Sequence, residues 1–233
     1  MARSISIVEY KVQQAHFFLE QLELSELNFF AAQCFTDAFV SACRSITFSM
    51  QSVINEVPGF KDWYSPRMDA LKRDRISAFF NAYRTASIHI GDTVVRGGTS
   101  FRGADGKRHH QYFFMAIPDV AQVPSEDVLT ICKSHFINLL SLVYDALATF
   151  LYQLDDRWYF TEDYFQKMGK SFDDAIAEVG LPQEWATAAT AAALSDSAIW
   201  RAIRSTQTVG CQLNDLFDRY LRKTIRGPDD ATP

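Results

Sequence analysis

Apolar residues in the first two thirds of the chain recur at intervals of three and four, the period of a helix with one buried face. Over residues 6–22 they are Ile7, Val8, Val12, Ala15, Phe18, Leu19 and Leu22, which predicts a first helix. Ser25 is the candidate N-cap of the next, with Asn28 three residues on. From 27 to 57 one stripe runs through Phe35, Phe39, Ile46, Met50 and Val53, while Asp37, Ser41, Arg44 and Asn55 fall away from it. That spacing predicts a single helix of about 45 Å, stopped by Pro58-Gly59. A turn over 60–65 then presents Trp63 and Tyr64. Pro66 suits the first turn of a third helix, which carries Met68, Leu71, Ile76, Phe79, Phe80 and Tyr83 and ends at Gly91.

The period changes at 93–118. Gly97-Gly98, the Gly103-Ala104-Asp105-Gly106 turn and the run from Gln111 to Ile117 make the best hairpin signal in the chain. Ser125, with Glu126 and Asp127 in the first turn, opens a fourth long helix reaching about Asp155. Beyond Asp155-Asp156 the pattern shortens, and residues 161–168, 172–179, 182–194 and 197–222 read as four further helices. The fold expected is mainly α: an up-and-down helical bundle over 1–155 with one β-hairpin insertion at 93–118. Extra C-terminal helices over 156–226 form a subdomain packed on it, and 227–233 is a frayed tail.

Composition narrows this picture without naming a chemistry. With 48% hydrophobic residues, the 233-residue chain has material for a large core and is not intrinsically disordered. Only 10 Gly and 7 Pro disfavour an all-β fold with many tight turns. The net charge of −5 excludes a surface coated with cations for nucleic acid, though not a confined basic site. Cys34, Cys43, Cys132 and Cys211 form no C-x-x-C pair and read as small buried hydrophobes, so no metal and no cofactor are expected. The N-terminus has no signal-peptide core, and the longest apolar run, 136–152, is too short to span a bilayer. A cytoplasmic protein without membrane attachment is expected.

Several fragments fail as catalytic motifs. Gly106-Lys107 lacks the glycine five residues earlier and the Ser or Thr that follows in a phosphate-binding loop. Asp215 and Asp218 read as a solvated helical face, and His109 and His110, adjacent on a strand, point to opposite sides of it. One constellation stands out. Arg84 and His89 close the third expected helix, a guanidinium able to hold phosphate in two parallel hydrogen bonds and an imidazole able to move a proton near neutrality. Five residues at ~100° each set the two side chains about 140° apart on an ideal helix. They therefore converge only if the helix end is distorted or a second subunit supplies the partner. Alternatively His89 meets the last carbonyls of its helix and Arg84 makes a surface ion pair.

The series from Phe39 to Phe48, through Pro58-Gly59-Phe60-Lys61-Asp62-Trp63-Tyr64, to Asp74, Phe79-Phe80-Asn81-Ala82-Tyr83-Arg84 and His89 resembles the HEPN superfamily of helical bundles. Its signature is an arginine, four to six residues, and a histidine. The resemblance covers roughly residues 10–150. It implies a metal-independent endoribonuclease of the toxin or phage-defence kind, with Arg84 on the phosphate and His89 as general acid/base. It also implies a homodimer that shares its active site, and an antitoxin or other regulatory protein as partner. Active members carry a polar residue, often Asn, Asp or His, after the arginine; here Thr85 takes that place.

The adjacent hairpin adds an argument from charge. Arg96, Arg102, Lys107 and Arg108 against Asp105 leave a local charge of +3, interleaved with Phe101, Tyr112 and Phe113. Cations with aromatics suit an RNA backbone and its stacked bases. The alternative is a non-catalytic helical binding module, for a protein or a nucleic acid, in which the Arg84/His89 motif is vestigial.

Overall fold

A computed structural model of the chain describes residues 5–25, 27–90, 93–116, 123–182, 184–185, 195–206 and 210–230, with side chains at all of these except 88–90 and 196. It is mainly helical, with one two-stranded antiparallel sheet. The helices are α1 (Ser6–Leu24), α2 (Phe29–Ile54), α3 (Phe60–Arg73), α4 (Arg75–Ile90), α5 (Val128–Thr149), α6 (Leu151–Leu154), α7 (Asp156–Tyr159), α8 (Glu162–Lys167), α9 (Phe172–Val179), α10 (Asp196–Thr206) and α11 (Asn214–Leu221). Strands β1 (Val95–Arg102) and β2 (Arg108–Phe114) lie between α4 and α5. The helical bundle with one inserted hairpin is therefore the observed fold. No helix among the described residues is long and apolar enough to cross a membrane.

The chain divides into two compact units, Met1–Val143 and Tyr144–Pro233, so the division lies inside α5 rather than near residue 155. In the first unit α1 buries Val8, Val12, Ala15, Leu19 and Leu22 and packs on α2. Its other side leaves Ile7, Tyr10, Phe17 and Leu24 exposed. The α2 stripe sinks Phe39, Ile46, Met50 and Ile54. Cys43 and Cys132 are buried as expected, but Cys34 is exposed on α2.

Local capping redraws several expected boundaries. Ser25 is not an N-cap: its hydroxyl donates to the Leu22 carbonyl at 2.7 Å and closes α1. Asn28 caps α2 instead, its side chain accepting from the Ala31 N–H at 3.0 Å. The expected turn at 60–65 is helical, and the expected third helix is two helices. Asp74 separates them with an extended backbone (ψ 126°). Its N–H closes α3 on Ala70, while its carboxylate accepts from the Ser77 N–H at 2.8 Å and opens α4. One residue thus satisfies orphan backbone groups at both helix ends, a role that apolar periodicity cannot register. The expected end at Gly91 lies outside the described residues.

Asp127 rather than Ser125 caps α5, accepting from the Thr130 N–H, and its other oxygen accepts from the Tyr112 N–H at 3.0 Å. The base of the hairpin is further held by Gln33, which donates to the Val95 carbonyl at 2.8 Å. Phe114 inserts among the rings of Phe79, Phe80 and Tyr83, with centroids 4.8–6.0 Å away.

The second unit has a smaller core of Phe160, Phe165, Ala175, Ile176, Trp200 and Ile203. The helix expected over 197–222 is two, α10 and α11. The expected 182–194 helix falls largely outside the described residues. Residues 225–230, in part the expected frayed tail, are pinned. Arg157 binds Asp155 and reaches Asp230, Arg204 grips Asp229, and the Trp158 indole N–H donates to the Arg226 carbonyl at 2.7 Å. Gly210 and Gly227 lie close to Arg157, where an added Cβ would stand 2.6 and 2.8 Å from its guanidinium and oblige that side chain to shift.

Candidate functional site

Phe79, Phe80 and Tyr83 bury one side of α4, and the Tyr83 hydroxyl donates to Asp37 on α2. Burial, with Asp37 beside it, pushes the Tyr83 phenol well above its ordinary range, so it acts as a neutral hydrogen-bond donor. This anchor sets the rotation of α4. Arg84, the next residue, is half-buried and makes no hydrogen bond or ion pair among the described residues. Its guanidinium has five N–H donors, none of them met by a described residue. Thr85 is exposed, but its hydroxyl donates to the Asn81 carbonyl at 3.0 Å, back into its own helix. The backbone of His89 belongs to the last turn of α4, while its side chain lies outside the described residues. The pairing of Arg84 with His89 is therefore not among the contacts described.

The hairpin cations are all exposed. Register pairs Arg102 with Arg108 directly across the ladder, on the face shared by Ser100 and His110. Phe101 and His109 pair on the opposite face and stack at 5.6 Å. Like charges directly opposite destabilise a sheet. Here each is drawn sideways, Arg102 to the Gly106 carbonyl at 3.2 Å and Arg108 to the Ser100 hydroxyl at 3.0 Å. Arg96 donates to the Thr93 carbonyl, and Lys107 has no side-chain partner among the described residues. Asp105, the lone carboxylate, accepts from the Lys107 N–H and pairs with His109 at 3.1 Å, contacts that hold its carboxyl below the usual range. The left-handed Gly106 (φ 76°) allows that turn. The outcome is a base tied to α2 and α5 and a cationic tip at which neither Arg102 nor Arg108 pairs with a carboxylate among the described residues.

The structure adds a cleft that the sequence did not single out. It lies in the first unit among α2, α3, α4 and α5 and encloses about 220 Å³. Ser77 and His135 line it and form a chain with Asp74, which is not itself a lining residue. The Ser77 hydroxyl donates to Asp74 at 2.8 Å, and the His135 Nδ1 stands 3.5 Å from that hydroxyl. This is not a nucleophile triad, because the serine proton is directed at the carboxylate rather than at the imidazole. His135 is 6% exposed, and burial pushes its pKa down to about 4 against the opposing pull of Asp74. It is thus neutral at physiological pH. At the rim Arg44 lies over the Phe48 ring at 4.3 Å. Nearby, Tyr64 donates to the Thr47 carbonyl at 3.0 Å, and burial holds its phenol up at about 12 despite Arg44. The one legible sign of the cleft was Arg44, a cation off the α2 stripe. The meeting of residues 74 and 77 with residue 135 depends on helix packing.

Among known proteins, no family model, no curated protein and no solved structure matches this chain.

Proposed function

We propose that the protein is an RNA-binding helical bundle of the HEPN-like kind that acts as a metal-independent endoribonuclease. The hairpin holds the phosphate backbone, Arg84 takes the scissile phosphate, and His89 moves the proton of the attacking 2′-hydroxyl. The single observation that carries the reading is electrostatic. The cross-strand Arg102/Arg108 pair, with Lys107 beside it, makes an exposed cationic projection, and the half-buried Arg84 at the end of the preceding helix makes no hydrogen bond or ion pair among the described residues. Phosphate supplies a counter-charge for Arg102, Lys107 and Arg108, none of which pairs with a carboxylate among the described residues.

The test uses purified protein and a pool of structured RNAs in EDTA. Cleavage is expected, with Arg84→Ala and His89→Ala each abolishing it. Replacing Arg96, Arg102, Lys107 and Arg108 together by Gln is expected to weaken RNA binding and flatten its salt dependence. Light scattering on the same samples reads the proposed homodimer. The second reading, a non-catalytic RNA-binding module, is favoured by the hydroxyl of Thr85, which is committed to its own helix backbone rather than offered to a substrate. Binding without cleavage, unchanged by Arg84→Ala, decides for it.

A further inference from the structure

We propose that the cleft among α2, α3, α4 and α5 is a second, separate site, for a small organic monoanion that presents a carboxylate to Arg44 and an apolar body to the cleft walls. The argument begins with charge. The ionised side chains lining the cleft are Arg44 and Lys72, and among the described residues no carboxylate lines it. Lys72 is already paired with Asp69 at 3.0 Å on the outer side. Arg44 has no such partner: its guanidinium is half-buried over Phe48 and makes no hydrogen bond to a described residue. Stacking uses the face of the guanidinium rather than its edge, whose N–H donors no described residue meets. A partly desolvated cation with unmet donors calls for one negative charge, and the planar, bidentate carboxylate matches its geometry.

The walls define the rest of the ligand. Val40, Met68, Leu71, Phe80 and Leu139 supply apolar surface, and the Asn81 amide supplies a further polar group. His135 adds a neutral ring at the floor and so contributes no charge to compete with Arg44. The volume lies below the ~300–1,000 Å³ of pockets for drug-sized ligands, so the occupant is small. A single aromatic ring or a medium-length hydrocarbon chain bearing one carboxylate fits this description. A nucleotide, with more charge and more polar surface, does not.

Calorimetric titration of the full chain with benzoate and with octanoate tests the site, with benzamide, octanamide and inorganic phosphate as controls. Saturable binding of at least one carboxylate is expected, with the matching amide and phosphate binding at least about tenfold more weakly. Arg44→Ala is expected to weaken the carboxylate about tenfold to a hundredfold, the scale of hydrogen bonds to a charged group, and Arg44→Lys to recover part of it. Circular dichroism and the melting temperature verify that both variants are folded. A hairpin variant lacking Arg96, Arg102, Lys107 and Arg108 is expected to bind the carboxylate normally, which separates this site from the RNA reading. Absence of binding by both carboxylates, phosphate binding as tightly, or indifference to Arg44→Ala overturns the proposal.

Discussion

The first unit is held by rings and aliphatic side chains on long helices, Phe39 against Phe80 and Phe114 against Phe79 and Tyr83. The second, whose own helices reach 11 residues in α10, adds to a smaller apolar cluster a set of arginine clamps. Helix length accounts for the difference. A helix of 26 residues such as α2 carries a long stripe that defines its own buried face. Helices below about 12–15 residues are marginal alone and take their places from contacts with distant segments. Arg157 and Arg204 supply these by joining α7 and α10 to residues 229–230. The functional candidates follow the same division. Both the hairpin and the cleft belong to the first unit, where Arg44, Arg102 and Arg108 pair with no carboxylate among the described residues.

The sharpest way to break this comparison is one deletion in each unit. Phe39→Ala, at a fully buried position, is expected to lower the unfolding free energy by about 3–5 kcal/mol, with little dependence on salt. Arg157→Ala is expected to cost about 3 kcal/mol, because it strands the carboxylate of Asp155, whose side chain is 4% exposed. Adding Asp155→Asn to Arg157→Ala should return part of that loss, and nothing comparable should rescue Phe39→Ala. Urea titrations of the four proteins read both outcomes. Equal salt sensitivity of the two single variants would show that the units are not held by different means.

Acid should distinguish the units next. The folded pKa of His135 is depressed to about 4, below its unfolded value near 6.5. The unfolded chain therefore binds the proton first. The stability contributed by the neutral ring is present above about pH 6.5 and is lost as the pH falls toward 4, a change of at most about 3 kcal/mol. In the second unit Asp229 is held below its ordinary value by Arg204, so its contribution is lost only at lower pH, below the usual carboxylate range. His135→Gln is expected to flatten the limb between pH 6.5 and 4 and to leave the lower one intact. Fluorescence of Trp63 against that of Trp158 and Trp200, in single-tryptophan variants, follows the units separately.

The smallest expected effect on stability is at the hairpin tip. Neutralising Arg96, Arg102, Lys107 and Arg108 should shift the unfolding free energy by only about 0.5 kcal/mol in either direction, as for other surface changes. Removing the Arg102/Arg108 repulsion should push that shift toward stabilisation. RNA affinity, if these side chains serve it, should fall even so. Loss of stability without loss of RNA binding would assign them a structural role instead.

How far the fold was legible depended on the type of signal. Amphipathic stripes placed α1, α2 and the body of the long α5, though not the residue that caps it, and the Gly103–Gly106 turn located the hairpin. Caps were misread where one polar residue could serve either of two ends, as at Ser25 and Asn28, or both at once, as at Asp74. The candidate site was legible as charge and spacing, Arg84 with His89 and the hairpin cations. The cleft was not, since its floor joins residues 77 and 135 across 58 positions of chain.

By itself, then, the sequence determined the periodicities: that the chain is mainly helical, which face the long helices bury, and that cations gather between residues 96 and 108 while the whole chain is acidic. These follow from local propensity and composition, which neighbouring residues decide among themselves. The tertiary structure decided which of those cations meet no carboxylate among the described residues. It set Arg102 opposite Arg108, withdrew the Thr85 hydroxyl into α4, left Arg44 stacked with no acceptor among the described residues, and made residues 229–230 the anchor of Arg157 and Arg204. Pairing energy depends on distance and burial, and both arise only when segments far apart in sequence are packed together.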